Sequence, residues 1–152
     1  MPIASYRWLV AVLLWLLSAG VATSGQTEDA NALLDQWSAA YTANDPEAVA
    51  NKYWPDAILL GTVSPIVSIG HDAILKYFTA VKDSGNKNAI QERHVIAIDD
   101  NAVLVTGFYE FTRMQDGNPV PAPCRYTMLV TKRGGEWRIT HHHSSPRAQA
   151  KQ

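Results

Sequence analysis

Apolar side chains recur at three- and four-residue intervals over residues 27–43, a spacing that predicts an amphipathic helix. Residues 45–47 then supply an N-capping Asp, a Pro for the first helical position and an acidic residue, so a second short helix is predicted to run to about Tyr53. Short apolar runs on either side of a Thr-Val-Ser-Pro turn predict a small hairpin over residues 57–69. A third helix is predicted over residues 72–81, where the apolar positions again share one face.

The second half of the chain changes to an alternation of apolar and polar residues, which is typical of strands. Asp-Asp-Asn, Gln-Asp-Gly-Asn and Gly-Gly segments separate the alternating runs and predict tight turns. The predicted strands cover residues 90–98, 102–114, 124–132 and 136–144. Helices followed by an antiparallel sheet indicate an α+β domain.

Two-residue turns at residues 100–101 and 134–135 fix a register for the predicted hairpins. In that register one face of the sheet is more apolar and is expected to pack on the helices. Its polar end is predicted to comprise Glu92, His94, Tyr109, Tyr126, His141 and His143. Arg93 and Arg125 are predicted on the opposite face, beside exposed apolar groups, where they are interface candidates.

The amino terminus has the order of a secretory signal peptide: Arg7, the apolar run 8–17, then small residues. The predicted domains are therefore a signal peptide (1–24), one α+β domain (25–145) and a flexible tail (146–152). This predicts a periplasmic or secreted protein with no membrane attachment after cleavage. An uncleaved membrane anchor is the alternative.

Composition narrows the function classes further. The 152 residues are 47% hydrophobic and 18% charged, with a net charge of −1, which excludes a disordered chain and an electrostatically driven nucleic-acid binder. Cys124 is the single cysteine, so no intramolecular disulfide can form. No P-loop or dinucleotide fingerprint is present, so no cofactor is expected.

Several segments resemble the nuclear transport factor 2-like superfamily. They are residues 37–45, residues 53–57, the helix at 70–78 and the ending Gly-Glu-Trp-Arg-Ile-Thr-His-His-His-Ser-Ser at 135–145. Within that superfamily the chain is similar to bacterial secreted relatives of the calcium/calmodulin-dependent protein kinase II association domain, of the SgcJ/EcaC and SnoaL-like type. The resemblance implies a cone-shaped, curved antiparallel sheet on three N-terminal helices, a cavity, and homodimers or rings built through the sheet.

The resemblance also suggests which side chains line the cavity. The candidates are Tyr41, Trp54, Tyr109, Tyr126, Met128 and His141. Cavity arginines of the kinase domain fall on Tyr109 and Met128 here, so a neutral or weakly cationic small molecule is the expected ligand. The first hypothesis is a non-catalytic pocket and oligomerisation module.

Two alternatives stay open. A cofactor-independent isomerase, cyclase or dehydratase would use Glu92 as the base and His94 or His143 as the acid. A metal-binding protein would use His141 and His143, which lie about 7 Å apart on one side of a strand, with His94 as a third ligand. Neither a Cys ligand nor a His-Glu-x-x-His motif supports the metal site, so none is assigned.

Overall fold

The computed structural model describes residues 19–148, with side chains from residue 25 onward, and confirms the α+β class. Three helices come first: α1 (Ala19–Thr42), α2 (Pro46–Ala50) and α3 (His71–Phe78), the last continued by a 3-10 helix (Thr79–Val81). The strands are β1 (Tyr53–Leu60), β2 (Ser68–Ile69), β3 (Lys87–Asp99), β4 (Ala102–Gln115), β5 (Asn118–Arg133) and β6 (Glu136–Pro146). Most of the predicted signal peptide, residues 1–18, lies outside the described residues. Among those described, no helix has the length and apolarity to cross a membrane.

The six strands form one curved sheet in the order β2-β1-β6-β5-β4-β3. All neighbours are antiparallel except β1 and β6, which run parallel, so the sheet is mixed rather than purely antiparallel. The predicted second helix is too long: α2 ends at Ala50, and Tyr53 already belongs to β1. Pairing with β6 decides this point, because the amide of Ile139 donates to the carbonyl of Lys52 at 2.9 Å.

The helices cover one face of the sheet and enclose the core. Leu34, Trp37 and Tyr41 project from α1 at helical spacing, and Ile74 and Phe78 project from α3. The inward side of the sheet contributes alternate residues of the long strands. These are Val103, Val105, Tyr109 and Phe111 from β4, and Cys124, Tyr126, Met128 and Val130 from β5. Burial of each large apolar side chain stabilises the fold by about 1.5–3 kcal/mol.

A β-bulge in β6 changes which histidines face inward. Val130 pairs with Ile139 as predicted, but Leu129 pairs with His141, so Thr140 is an extra residue on β6. Side chains alternate along a strand, and one extra residue therefore reverses the faces beyond it. His142 is buried at 2% exposure, whereas His141 and His143 point outward; the prediction that these two face inward is wrong.

Bulges in β3 reverse a second part of the predicted register. Ile90 pairs with Tyr109 but Glu92 pairs with Phe108, and a further shift occurs between Ala97 and Asp99. The shift between Ala97 and Asp99 lies between the turn and Glu92, so Glu92 and His94 are exposed on the outer face, opposite to the prediction.

Arg93 consequently points to the helix side rather than outward. Gly107 on β4 accommodates the irregularity between Ile90 and Glu92 on β3, because a Cβ at that position would overlap the carbonyl of Glu92. Glycine inside a strand often marks a close approach of this kind. At the carboxyl end, β6 continues to Pro146 and the amide of Arg147 donates to the carbonyl of Pro123 at 2.9 Å, two residues past the predicted domain end.

Candidate functional site

A cavity of about 210 Å³ lies between the helices and the inward face of the sheet. Aromatic and aliphatic side chains form most of its wall. Its lining comprises Trp37, Tyr41, Leu59, Gly61, Thr62, Val63, Tyr77, Phe78, Ala80, Val81, Asn86, Tyr109, Phe111, Arg113, His142 and Ser144. Strand β4 contributes every second residue from Tyr109 to Arg113, because alternate side chains of a strand share one face.

Four buried side chains form a hydrogen-bonded chain that ends in this cavity. The indole Nε1–H of Trp37 donates to the hydroxyl of Tyr53 at 3.0 Å. That hydroxyl lies 2.8 Å from Nδ1 of His142, and Nε2 of the same ring lies 3.3 Å from the hydroxyl of Tyr109. Burial, with smaller effects from His141 and His143, lowers the pKa of His142 to about 3, so its ring is neutral near pH 7.

Three hydroxyl groups meet where this chain reaches the cavity. Thr62 and Ser144 are hydrogen-bonded to each other, and both lie beside the hydroxyl of Tyr109. Burial raises the pKa of Tyr109 well above its usual value, and hydrogen bonds to Ser144 and Thr62 offset only part of this effect. Tyr109 therefore keeps its proton at neutral pH.

Arg113 supplies the positive charge of the cavity. The lining contains no Asp or Glu, and no carboxylate among residues 25–148 forms an ion pair with Arg113. Burial, with a smaller effect from Tyr77, raises the pKa of Tyr41 to about 12, and the nearby guanidinium of Arg113 and a hydrogen bond with Asn86 oppose the shift. The wall near Arg113 thus presents a cation and protonated phenols.

The loop after β1 closes one side of the cavity. The ring of Tyr77 lies directly on Gly61, where a Cβ would overlap it. Val63 belongs to the lining yet remains 63% exposed, and Ile66 at the tip of the same loop is 72% exposed. The loop therefore places one apolar side chain, Val63, against the cavity and a second, Ile66, on the surface.

Two of the six predicted pocket residues, Tyr41 and Tyr109, line this cavity. The other four lie elsewhere. Tyr126 stacks behind Tyr109 with ring centroids 4.8 Å apart, Met128 is in the core, Trp54 donates to the carbonyl of Thr131, and His141 points outward.

The proposed acid–base pair forms on the wrong side of the sheet. Oε1 of Glu92 and Nε2 of His94 are 2.6 Å apart, with 48% of the Glu92 side chain and 65% of the His94 side chain exposed. They line a shallow groove on the outer face together with Phe108 and Arg125. His143 is exposed on β6, three strands away, so the three candidate catalytic residues do not form one site.

The two predicted interface arginines, Arg93 and Arg125, lie on opposite faces of the sheet. Nη2 of Arg93 donates to Oδ1 of Asp35 on α1 at 2.5 Å, and Nη1 donates to Oδ1 of Asn31 at 3.0 Å, so Arg93 fastens the helix to the sheet within the molecule. Its predicted outer-face position is wrong, because the shift between Ala97 and Asp99 in β3 reverses it. Arg125 is exposed on the outer face, as the register places it, and donates to the carbonyl of Pro146 at 3.4 Å.

The metal-binding alternative lacks a ligand set. Across residues 19–148, no three His, Cys, Asp or Glu side chains are close enough to hold one ion. His141 and His143 do share a face, but His94 is three strands away. Cys124 is a buried free thiol, and burial raises its pKa.

Sequence reasoning missed Trp37, Tyr53, His142 and Arg113 as functional residues. A signal for Arg113 was present, since it lies four residues after Tyr109 on the same strand and therefore on the same face. The position of His142 could not be read in this way, because it depends on the bulge at Thr140.

An open curved sheet wrapped on helices around an aromatic cavity defines the nuclear transport factor 2-like class of fold. A SnoaL-like domain model matches residues 30–149, and the chain belongs to this family. No curated protein is significantly similar in sequence.

Solved structures agree with this assignment. A Xanthomonas campestris protein described as a calcium/calmodulin-dependent protein kinase II association domain is 36% identical, with a TM-score of 0.74 over 80% of this chain and 87% of that one. A nuclear transport factor 2-like protein with a cystatin-like fold from Novosphingobium aromaticivorans is 14% identical, with a TM-score of 0.73 over 86% and 87% of the two chains. A ketosteroid isomerase-like protein from Erwinia carotovora is 21% identical, with a TM-score of 0.68 over 82% and 98%. The last two show the fold alone.

Proposed function

We propose that this protein binds a small molecule with an apolar or aromatic body and an anionic group, held in the cavity with its charge against Arg113. The observation that carries the proposal is that, among residues 25–148, the guanidinium of Arg113 has no ion-pair partner and the aromatic cavity around it is lined by no carboxylate. The expected preference for a neutral or weakly cationic ligand rested on Tyr109 and Met128 in place of the kinase domain's cavity arginines and on Glu92 facing inward. Because Glu92 lies on the outer face and Arg113 lines the cavity, we propose an anionic ligand instead.

The size and chemistry of the cavity limit the ligand. A volume of about 210 Å³ is below the usual range for drug-sized ligands, which favours a compact, single-ring molecule. Arg113 can hold a carboxylate through two parallel hydrogen bonds, and the aromatic wall can cover the ring. A polyanion does not suit the site, because Arg113 is the only basic side chain in the lining that is charged at pH 7.

A matched pair of arginine variants tests this function. Titration calorimetry with para-formylbenzoate and its neutral analogue para-formylbenzamide measures the preference for the anion. We expect Arg113→Gln to weaken para-formylbenzoate binding tenfold or more, since a hydrogen bond to a charged group contributes about 1.5–3 kcal/mol. The control Arg125→Gln, on the outer face, should bind like the wild type. Equal affinity of the acid and the amide for the wild type would contradict the proposal.

Self-association through the outer sheet face is part of the proposed function. That face carries exposed apolar side chains, including Ile96 at 54% and Ile58 at 39% exposure, and it also carries Arg125. The similar Xanthomonas protein is described as an association domain, which supports the same proposal. Light scattering should show a homodimer or larger ring that Ile96→Glu dissociates. The control Ile66→Glu should not dissociate it, although Ile66, on the β1–β2 loop, is more exposed at 72%. A monomeric wild type would contradict this.

Export to the periplasm or the medium is the final part of the proposal, and it rests on the sequence of residues 1–24. Mass spectrometry of the exported protein should show cleavage between about Ala19 and Gln26. A mature protein that begins at Met1 would contradict it.

The isomerase or lyase alternative is not carried forward. Its base, Glu92, is outside the cavity, and the cavity lining holds no carboxylate. His142 is a poor substitute, because its pKa of about 3 makes it a weak base at neutral pH.

A further inference from the structure

The hydrogen bonds that link Trp37, Tyr53, His142 and Tyr109 all have the same donor-to-acceptor direction, and the first donor is Trp37. An indole nitrogen can only donate, so the hydroxyl oxygen of Tyr53 must be the acceptor of that bond. The hydroxyl of Tyr53 still carries its own hydrogen, and its other hydrogen-bond partner among the described residues is Nδ1 of His142. If Nδ1 carried a proton, a buried tyrosine hydrogen would be left without an acceptor, which costs about 1–3 kcal/mol.

The same direction continues through the imidazole ring. With Nδ1 accepting from Tyr53, the neutral ring must carry its hydrogen on Nε2. Nε2 then donates to the hydroxyl of Tyr109, 3.3 Å away. Trp37, Tyr53 and the neutral His142 therefore each donate to the next side chain, and the last of these bonds ends at the hydroxyl of Tyr109 in the cavity wall.

The donor-to-acceptor direction decides whether the hydroxyl cluster presents a hydrogen-bond donor or an acceptor to a ligand in the cavity. Tyr109, Ser144 and Thr62 form a cluster of three hydroxyls with three hydrogens. Two of these three hydrogens form the hydrogen bonds that link the three hydroxyl oxygens in a row. Because His142 has already supplied a hydrogen to Tyr109, the third hydroxyl hydrogen has, within residues 25–148, only the weakly accepting sulfur of Cys124 near it, whose own hydrogen is donated to the carbonyl of Ala122. In the opposite direction Tyr109 would donate to His142, and the cluster would end in a lone pair instead.

We propose that the chain Trp37–Tyr53–His142–Tyr109 fixes His142 as the Nε2–H tautomer and makes the hydroxyl end of the cavity a hydrogen-bond donor, selective for a ligand with an uncharged acceptor oxygen there. This inference rests on the proposed function, since it names a second determinant of the same ligand. The two determinants lie apart: Tyr109 and Arg113 are four residues apart on β4, which is about 13 Å between their Cα atoms. The ligand class is therefore a small aromatic carboxylate with a carbonyl group at the opposite end of its ring. His142, Tyr53 and Trp37 act as positioning residues.

The tautomer is tested without any ligand. Imidazole nitrogen NMR of the wild type should show a protonated Nε2 and an unprotonated Nδ1 for His142 above about pH 5, where the ring is neutral. Tyr53→Phe removes the hydroxyl that fixes the tautomer and should give a mixture of the two forms. Tyr126→Phe is the matched control: Tyr126 is equally buried and stacked on Tyr109, but its hydroxyl donates to the carbonyl of Glu92, outside the chain. It should leave the tautomer unchanged.

A pair of nearly isosteric ligands tests the donor. Para-formylbenzoate has an acceptor oxygen where para-vinylbenzoate has a methylene group, and both keep the carboxylate for Arg113. We expect the formyl compound to bind about fivefold more tightly to the wild type, the effect of one net hydrogen bond. The ratio should fall to about threefold in Tyr53→Phe if the two tautomers are equally populated, because only the Nε2–H fraction offers the donor, and it should persist in Tyr126→Phe.

The outcomes separate this inference from the proposed function. A protonated Nδ1 in the wild type overturns the inference, whichever ligands bind. Equal binding of the two probes overturns the donor preference while leaving an anion-binding cavity. Failure of both probes to bind, with the Nε2–H tautomer present, overturns the ligand class and the proposed function but confirms the direction of the chain.

Discussion

Acidification should destabilise this protein well before its carboxylates are protonated, because the ring of His142 is buried in neutral form. Burial lowers the pKa of His142 from 6.5 to about 3 in the folded state. The imidazole of His142 binds a proton near pH 6.5 in the unfolded chain but only near pH 3 in the folded chain. Between these pH values the unfolded state therefore binds more protons than the folded state. The contribution to stability is therefore complete above pH 6.5 and is lost as the pH falls towards 3.

The size of the effect follows from the pKa difference. Each unit is worth about 1.4 kcal/mol, so the loss amounts to about 3 kcal/mol at pH 4.5 and about 5 kcal/mol near pH 3. A domain of this size has a total stability of about 5–15 kcal/mol, so the loss is a large fraction. His141 acts in the same direction, since burial and the charge of His143 lower its pKa as well.

Urea denaturation followed by tryptophan fluorescence between pH 7 and pH 4.5 measures this loss. His142→Phe should be less stable at pH 7, because the hydroxyls of Tyr53 and Tyr109 lose their partner, but its stability should vary much less with pH. His143→Gln, which changes an exposed neighbour, should keep most of the wild-type slope, because burial has a larger effect on the pKa of His142 than the charge of His143 does. A wild-type loss below about 1 kcal/mol, or an equal slope in His142→Phe, would refute the assignment of a buried neutral ring.

Three further predictions follow from single contacts. Gly107→Ala should cost about 3 kcal/mol in urea denaturation, because its Cβ would overlap the carbonyl of Glu92; a cost near zero would mean that the β3 bulge is absent. Asp45→Ala should cost about 1 kcal/mol, because Asp45 caps α2 by accepting from the amide of Ala48 at 2.9 Å, whereas Asp45→Asn should retain most of that energy. Cys124 should react with iodoacetamide far more slowly in the folded than in the unfolded protein at pH 8, because burial raises its pKa and blocks access; equal rates would contradict its position.

Periodicity was sufficient to predict the order of elements. The apolar stripe at residues 27–43 and the alternation after residue 90 depend only on the side-chain repeat of a helix or a strand. The fold class followed from the same patterns. The parallel pairing of β1 with β6 did not, because it joins segments about 80 residues apart and no local pattern specifies it.

Face assignments failed where the backbone is irregular. A constant pairing sum holds only as far as the first bulge, and β3 and β6 both contain one within a few residues of the candidate site. Gly107, a glycine inside β4, was a usable sign of the irregularity between Ile90 and Glu92, but nothing comparable marked the shift between Ala97 and Asp99 that reverses Glu92 and His94. Tyr41 and Tyr109 were placed well because α1 and β4 are regular along their length, whereas Glu92, His94 and His141 were not.

The bulge at Thr140 also affects how knowledge should be transferred between relatives of this chain. Three consecutive histidines occupy three environments: His141 is half-buried, His142 is sealed in the core, and His143 is exposed. In a run of identical letters, an alignment shifted by one position scores almost as well as the correct one. Such a shift would assign the role of the sealed ring to a solvent-exposed one. Equivalent residues in this strand should therefore be matched by superposed Cα positions rather than by the histidine letters.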